Sequence, residues 1–284
     1  MMNNIKKDLS YWQEKHNKIS THIGKWIGGE DVKVRQYSLF NDLFGKISYM
    51  QMIVLNITGR LISKELSTWL ENNFICMSYP DARIWCNQVG AFAGENQTSP
   101  AAATVAGILS ADSRAYGGSQ TTKIAMEYIQ TTLIIYKKKL QIAGKYYDEE
   151  KIIQEIVHNT PIKHNKPAIV GFVRPVDKQD ERIQPHITMS KSLGFEIGEH
   201  MELANKISNY LLKNYNSGIN IGGYTAAFLS DQNFTPDEGY QIKNSCVSSG
   251  VTACYIDNLQ HNNNEFLPLK CSDVKYTGQK IREL

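Results

Sequence analysis

The sequence has no long apolar run. None of the hydrophobic stretches in its 284 residues approaches the ~20 residues that a helix needs to span a bilayer. It also lacks an excess of charge of one sign. The balance of 31 Lys and Arg against 28 Asp and Glu leaves a formal charge of +3, which excludes the basic footprint of a nucleic-acid binder. The one basic run, Lys137-Lys138-Lys139, follows an apolar helical pattern and reads as a solvated helix end. Five cysteines (Cys76, Cys86, Cys246, Cys254 and Cys271) contain no C-x-x-C pair, and seven histidines show no H-x-x-x-H spacing, so neither a metal site nor a disulfide framework is expected. No apolar core follows Met1-Met2-Asn3-Asn4-Ile5-Lys6-Lys7, which reads as the absence of a secretory signal. Reduced thiols and a cytoplasmic location are the expectation. Strand character is scarce too: only residues 36–38 and 168–173 are β-rich, which excludes a large sheet. Of eight prolines, four (Pro161, Pro167, Pro175 and Pro185) crowd into residues 161–185, marking irregular structure or an exposed connection.

What the chain does have is helical pattern, and the expected fold class is all-α. Ser63 is placed to cap a helix carrying Leu66, Trp69, Leu70 and Phe74 on one side. Pro80 and Asp81 break the chain before a segment over residues 82–94. Ser99-Pro100 opens a small-residue helix over 101–109, whose alanines permit close approach of a neighbour. Long amphipathic pattern runs over 121–140, and further helices are expected over 149–157, 198–213 and from 224. A single helix is expected over 236–255, with Thr235 as its cap.

Between the small-residue helix and the long one lies Asp112-Ser113-Arg114-Ala115-Tyr116-Gly117-Gly118-Ser119-Gln120. Paired glycines let a backbone turn sharply and let a ligand come close to it. Tyr116, beside them, can donate a hydrogen bond but is a poor base near neutral pH. It is either a site residue or a packed tyrosine at a turn. Arg83 and Asn87 are polar positions in an apolar stretch beside Trp85, and they suit either a binding site or a satisfied buried pair. Cys86 has no histidine paired with it and is not read as a nucleophile. His158, His164 and His186 surround the proline-rich region and are expected at the surface.

Taken in order, a set of motifs resembles the citrate synthase family, including its citryl-CoA lyase branches. Thr21-His22-Ile23-Gly24-Lys25 and Val34-Arg35-Gln36-Tyr37 are similar to the family's entry segment. Phe44-Gly45-Lys46-Ile47-Ser48-Tyr49 and Leu55-Asn56-Ile57-Thr58-Gly59-Arg60-Leu61 are similar to its helix pair, with Ile62 where a proline is usual. Asp81-Ala82-Arg83-Ile84-Trp85-Cys86-Asn87 resembles a "DPRIWPN" box. The resemblance covers residues 21–284. It implies a large helical domain (residues 1–141 and 216–284) and a reduced small helical domain (142–215) that closes over the ligand.

The family's chemistry uses one carboxylate and two histidines, and the matching positions here differ. The first histidine falls on Tyr116, the second near Arg174 in Gly171-Phe172-Val173-Arg174-Pro175, and the aspartate on Gly222 in Asn220-Ile221-Gly222-Gly223-Tyr224. The resemblance thus assigns Tyr116 and Arg174 to catalysis, as hydrogen-bond donor and carbonyl-polarising cation, and leaves the base open among Asp112, Asp180 and Glu181. It also implies that Arg182, in Asp180-Glu181-Arg182, holds a carboxylate through a bidentate guanidinium. Arg83, Asn87 and Arg282 are further substrate-binding candidates, and Lys178 is placed toward the coenzyme A nucleotide. No permanently bound cofactor or metal is implied; a coenzyme A thioester is a substrate. The expected partners are a small carboxylate, an acyl-CoA and a second copy of the chain, with no nucleic acid and no membrane. Two functional readings follow: an enzyme that forms or cleaves a carbon–carbon bond in an acyl-CoA, or a catalytically silent dimer that binds a CoA ester or a di- or tricarboxylate.

Overall fold

The computed structural model describes residues 9–16, 18–113, 118–143, 148–172, 180–261, 270–280 and 282. Helices dominate them, and the chain divides into two compact units, Met1–Glu71 and Asn72–Leu284.

The first unit begins with α1 (Leu9–Lys15) and a three-stranded antiparallel sheet, β1 (Gly24–Ile27), β2 (Asp31–Val34) and β3 (Tyr37–Ser38), in that order. Gly28 and Gly29, at φ +49° and +87°, turn β1 into β2 and set Trp26 opposite Val32. A π-helical turn (Leu39–Leu43) leads to α2 (Tyr49–Thr58), whose start is fixed by a reciprocal Ser48–Gln51 capping box. Val34, Leu43 and Leu55 form the core of this unit. Helix α3 (Lys64–Met77) runs across the boundary, and Ser63 Oγ caps it by accepting the Leu66 N–H at 3.1 Å.

The second unit contains two packed groups. In one, α4 (Trp85–Glu95), α5 (Pro100–Ala111) and α12 (Ser248–His261) pack on one another. Glycines make the close approach possible. A Cβ on Gly90 would lie 2.5 Å from the Val251 carbonyl oxygen, and one on Gly94 would lie 2.2 Å from that of Tyr255. In the other group, α6 (Gln120–Ala143) packs against α10 (Ile221–Asp231) and α11 (Pro236–Lys243), and α9 (Glu199–Tyr215) packs on α10 and α7 (Glu149–His158). Helix α8 (Ile183–Ser192) and the small pair β4 (Ile162–Lys163) and β5 (Lys166–Pro167) complete the described elements, with one 3₁₀ turn at Cys271–Asp273.

Three expectations are corrected. The single helix over 236–255 is two helices, α11 and α12, separated at residues 244–247. Residues 168–172 form no strand. Ile169 and Phe172 are only 3% and 2% exposed, so their apolar character serves burial in a turn rather than sheet pairing. Pro185 lies within α8, in its first turn, where a missing N–H leaves no helical bond unmade.

Candidate functional site

Several sequence motifs of the second unit converge on the N-terminus of α10. Asn220 caps it, accepting from the N–H groups of Gly222 at 2.8 Å and Gly223 at 3.1 Å. Asp180 Oδ2 accepts the N–H of Ile221 at 2.8 Å. The first three amides of the helix are therefore occupied, so an anion arriving here would have to be held by side chains. Gly171 fixes the neighbouring turn. Its carbonyl accepts the Asn220 N–H at 2.8 Å, its φ is +94°, and a Cβ on it would lie 2.7 Å from Gly223 Cα. Only glycine fits on both sides of that contact.

Asp180 also holds Arg182 in a two-bond fork, Nε to Oδ1 and Nη2 to Oδ2, each 2.8 Å. The Asp180 side chain is fully buried, whereas that of Arg182 is 22% exposed. Burial pushes the Asp180 carboxyl up, but the Arg182 guanidinium and the Ile221 N–H outweigh it and hold the group below the ordinary carboxylate range.

Behind this pair lies a buried polar network that joins α3, α8, α10 and α11. His186 Nδ1 is 2.8 Å from the Arg182 carbonyl oxygen, which can only accept, so Nδ1 carries the proton. Nε2 is then an acceptor and takes an N–H from Asn73 Nδ2 at 3.1 Å. The same Nδ2 donates to Thr225 Oγ1 at 2.9 Å. This fixes the amide orientation and turns Asn73 Oδ1 toward Lys243, whose Nζ donates to it. Lys243 is 2% exposed, and its amine lies 5.5 Å from the centre of the Phe74 ring. Burial pushes the amine below the usual lysine range, and the nearby Arg182 charge acts the same way. His186 is held down by burial first and by the Lys243 and Arg182 charges after it, so it is a neutral imidazole at neutral pH. Its 1% exposure corrects the expectation that it sits at the surface; His158 and His164 are exposed as expected.

Gly118, just before α6, borders the same region. A Cβ on Gly118 would lie 2.4 Å from Cys246 Sγ, three residues beyond Lys243. Ser119 Oγ donates to Asp112 Oδ1 at 3.0 Å and Tyr240 OH to Asp112 Oδ2 at 2.8 Å. Asp112 and Glu181 are exposed.

Of the site residues expected from the sequence, Arg182 stands in this cluster, while Tyr116, Arg174 and Lys178 lie outside the described residues. Arg83 has a side chain 90% exposed and pairs with Asp81 at 2.6 Å. Asn87 is buried, and its amide donates to the carbonyls of Tyr79 at 3.2 Å and Asp81 at 2.9 Å. Both thus make their bonds within the turn before α4 rather than in the cluster. Arg282 is exposed near the C-terminal end. Burial raises the Cys86 thiol above its usual range, which fits an unreactive thiol. Sequence reading missed Asn73, Thr225 and Lys243. A signal existed in the last case: Gly239, Ile242 and Lys243 fall at the buried spacing of one face of α11.

Among the described residues there is no group of three metal-ligating side chains, and no helix is long and apolar enough to cross a membrane. No protein-family model matches the chain, and no curated protein matches its sequence. Solved structures do match. The citryl-CoA lyase of Hydrogenobacter thermophilus superposes with a TM-score of 0.72 at 23% identity, over 94% of this chain and 97% of the lyase. The chain has the citrate synthase fold. The ATP citrate lyase of Methanothrix soehngenii, solved with citrate and coenzyme A, matches with a TM-score of 0.68 at 15% identity, over 99% of this chain but 46% of that one. The citrate synthase of Thermoplasma acidophilum, solved with carboxymethyl coenzyme A and oxaloacetate, matches with a TM-score of 0.60 at 15% identity, over 84% of this chain and 58% of that one. The citrate synthase fold is thus present at a length close to that of the lyase and at about half that of the ATP citrate lyase.

Proposed function

We propose that this protein binds an acyl-CoA together with a di- or tricarboxylate and acts on the carbon–carbon bond between them, by citryl-CoA-type cleavage or its reverse. The observation that carries this reading is the built Asp180–Arg182 fork at the capped start of α10, on a fold shared nearly end to end with a citryl-CoA lyase. A guanidinium positioned by a buried carboxylate is a pre-oriented receptor for a ligand carboxylate.

In cleavage, a base takes the tertiary hydroxyl proton and the carbon–carbon bond breaks. Its electron pair passes to the thioester enolate, which then gains a proton at carbon. Tyr116 would donate to the thioester oxygen, Arg174 would polarise the forming ketone, Arg182 would hold a carboxylate, and Lys178 and Arg282 would reach the outer parts of the ligands. Arg83 and Asn87 belong, in this reading, to the turn that they build. The large-domain and small-domain division at residues 142–215 is part of the same proposal. Turnover with citryl-CoA, and with acetyl-CoA plus oxaloacetate, tests it; folded protein that turns over neither ends the enzymatic reading.

A second reading rests on Gly222. Position 222 has no side chain, Asp180 is fully engaged by Arg182 and Ile221, and an inherited binding site without a base would bind and not react. Calorimetry with citrate, oxaloacetate and coenzyme A separates the two, because binding without turnover selects the silent form.

A further inference from the structure

Helix α8 is unusual in what it buries. Its buried residues, His186 and Ser190, are both polar, and among the described residues α8 is in none of the closely packed helix pairs. A surface helix ordinarily takes its place by burying an apolar stripe. Apolar burial is non-directional and tolerates sliding, whereas hydrogen bonds fix direction and register. Arg182 is the N-cap residue of this helix. Whatever holds α8 therefore also holds the guanidinium assigned above to a ligand carboxylate.

Three polar links tie this helix and its cap to α10. At the start, Asp180 Oδ2 holds Arg182 and accepts the Ile221 N–H at 2.8 Å. One turn along, Asn73 of α3 bridges the two helices: its Nδ2 donates to His186 Nε2 at 3.1 Å and to Thr225 Oγ1 at 2.9 Å. At the next turn, Ser190 Oγ and Tyr224 OH are 3.3 Å apart. Positions 182, 186 and 190 are four apart and share one face of α8. Asn73 is the link that comes from neither helix. It is 0% exposed, and its Oδ1 accepts from Lys243, so both amide N–H groups and the amide oxygen are engaged. A leucine there would fill the space without needing any partner, whereas a fully satisfied polar network specifies one arrangement of the elements around it.

We propose that Asn73 is a positioning residue of the carboxylate site: by tying His186 to Thr225 it fixes α8 against α10, and so sets where the Arg182 guanidinium meets a carboxylate of a di- or tricarboxylate. The proposal rests on reading Arg182 as the receptor of that carboxylate. Asn73 touches no ligand and acts through Arg182. With the bridge broken, α8 is held by fewer directional bonds, and binding must pay to order it.

The test is calorimetric titration of the full chain with citrate and with oxaloacetate at neutral pH. Asn73→Leu should weaken binding about tenfold, and Thr225→Val, which has nearly the same shape and leaves the Lys243 contact in place, about threefold. Asn73→Leu also removes the acceptor of Lys243; should it fail to fold, Thr225→Val decides. Arg182→Lys supplies the second arm, because it keeps a cation beside Asp180 but loses the two-bond fork. In that background the Thr225→Val loss should shrink below about twofold, since a residue acting through the fork has little left to act on. Variants that fold and bind both ligands as tightly as the unaltered chain overturn the positioning role and leave the carboxylate reading standing. So does a Thr225→Val loss that is undiminished in the Arg182→Lys chain. Failure of the unaltered protein to bind either ligand overturns both.

Discussion

At the scale of single residues, Asp180 is the side chain on which the site's geometry depends. It joins a guanidinium, a helix N-terminus and a turn, and it is the acceptor in each of these bonds, which favours its ionised form. Replacing it by Asn removes the charge that the Arg182 fork is built on, and the expected loss is about 3 kcal/mol at neutral pH. The pH dependence follows from the direction of its shift. The folded carboxyl titrates below its unfolded value, so its contribution is complete above pH ~4 and is lost as pH falls through the folded value. Urea unfolding of the chain and of Asp180→Asn should therefore differ most at pH 7, with the gap narrowing as pH falls below ~4. A gap that stays constant across that range would assign the loss to packing instead of charge. Sequence reading reached Arg182, and Asp180 as one of three candidates for the base, through the resemblance of Asp180-Glu181-Arg182 to a family motif; the hold of Asp180 on Arg182 was not read from it. Sequence reading missed Lys243 and Asn73, since their partners are 170 residues apart along the chain and no local pattern pairs a lysine with an asparagine at that distance.

Secondary-structure elements were legible where a side chain marks their ends. Ser63, Ser99 and Thr235 each cap the helix expected of them. Helix α9 is different: the carboxylate that accepts from its first N–H groups is Asp231, at the far end of α10, with His200 N–H at 2.9 Å and Met201 N–H at 3.1 Å. A cap supplied from another helix has no sequence signature. The β1–β2 hairpin was hidden for a related reason. Strand β1 is mostly exposed and both strands carry charged residues, so the alternation that marks a half-buried strand is weak.

The glycines of α4 offer a sharper test at this scale. Gly94→Ala puts a methyl group into the backbone of α12, which must move, and a loss of about 3 kcal/mol is expected in chemical unfolding. Gly222→Asp is the contrasting substitution. A Cβ there meets only Asn220 Oδ1, at 3.1 Å, and an acidic group in the first turn of a helix is favourable. That variant should keep its stability to within about 1 kcal/mol. It also returns a carboxylate to the position that the sequence resemblance assigns to the base, so the same protein can be assayed for gained turnover. A Gly222→Asp chain that fails to fold would show that the Asn220 side chain cannot give way at that 3.1 Å contact.

For the molecule as a whole, the surface of the α4–α5–α12 group bears on assembly. Residues 101, 105 and 109 of α5 repeat at helical spacing along its outer face, where Val105 is 54% and Leu109 69% exposed. Phe92 on α4 and Leu259 on α12 add apolar exposure of 49% and 44% in the same packed group. Isolated exposed apolar residues are ordinary, but a helical stripe of them beside two further apolar positions is the pattern of an interface. The small side chains of α5, Ala101 and Ala102 among them, would let a facing helix come close. A second copy of the chain is the proposed occupant, since a homodimer is what the sequence resemblance implies. Sedimentation equilibrium should then give twice the 32.2 kDa chain mass at micromolar concentration. Val105→Glu combined with Leu109→Glu places two charges in the stripe, where burial without partners is prohibitive, and should shift the protein to monomer. Both positions are exposed within the single chain, so the far-ultraviolet circular dichroism of the variant should stay unchanged. An unaltered protein that sediments as a monomer excludes the dimer. A variant that remains dimeric places the interface on another surface.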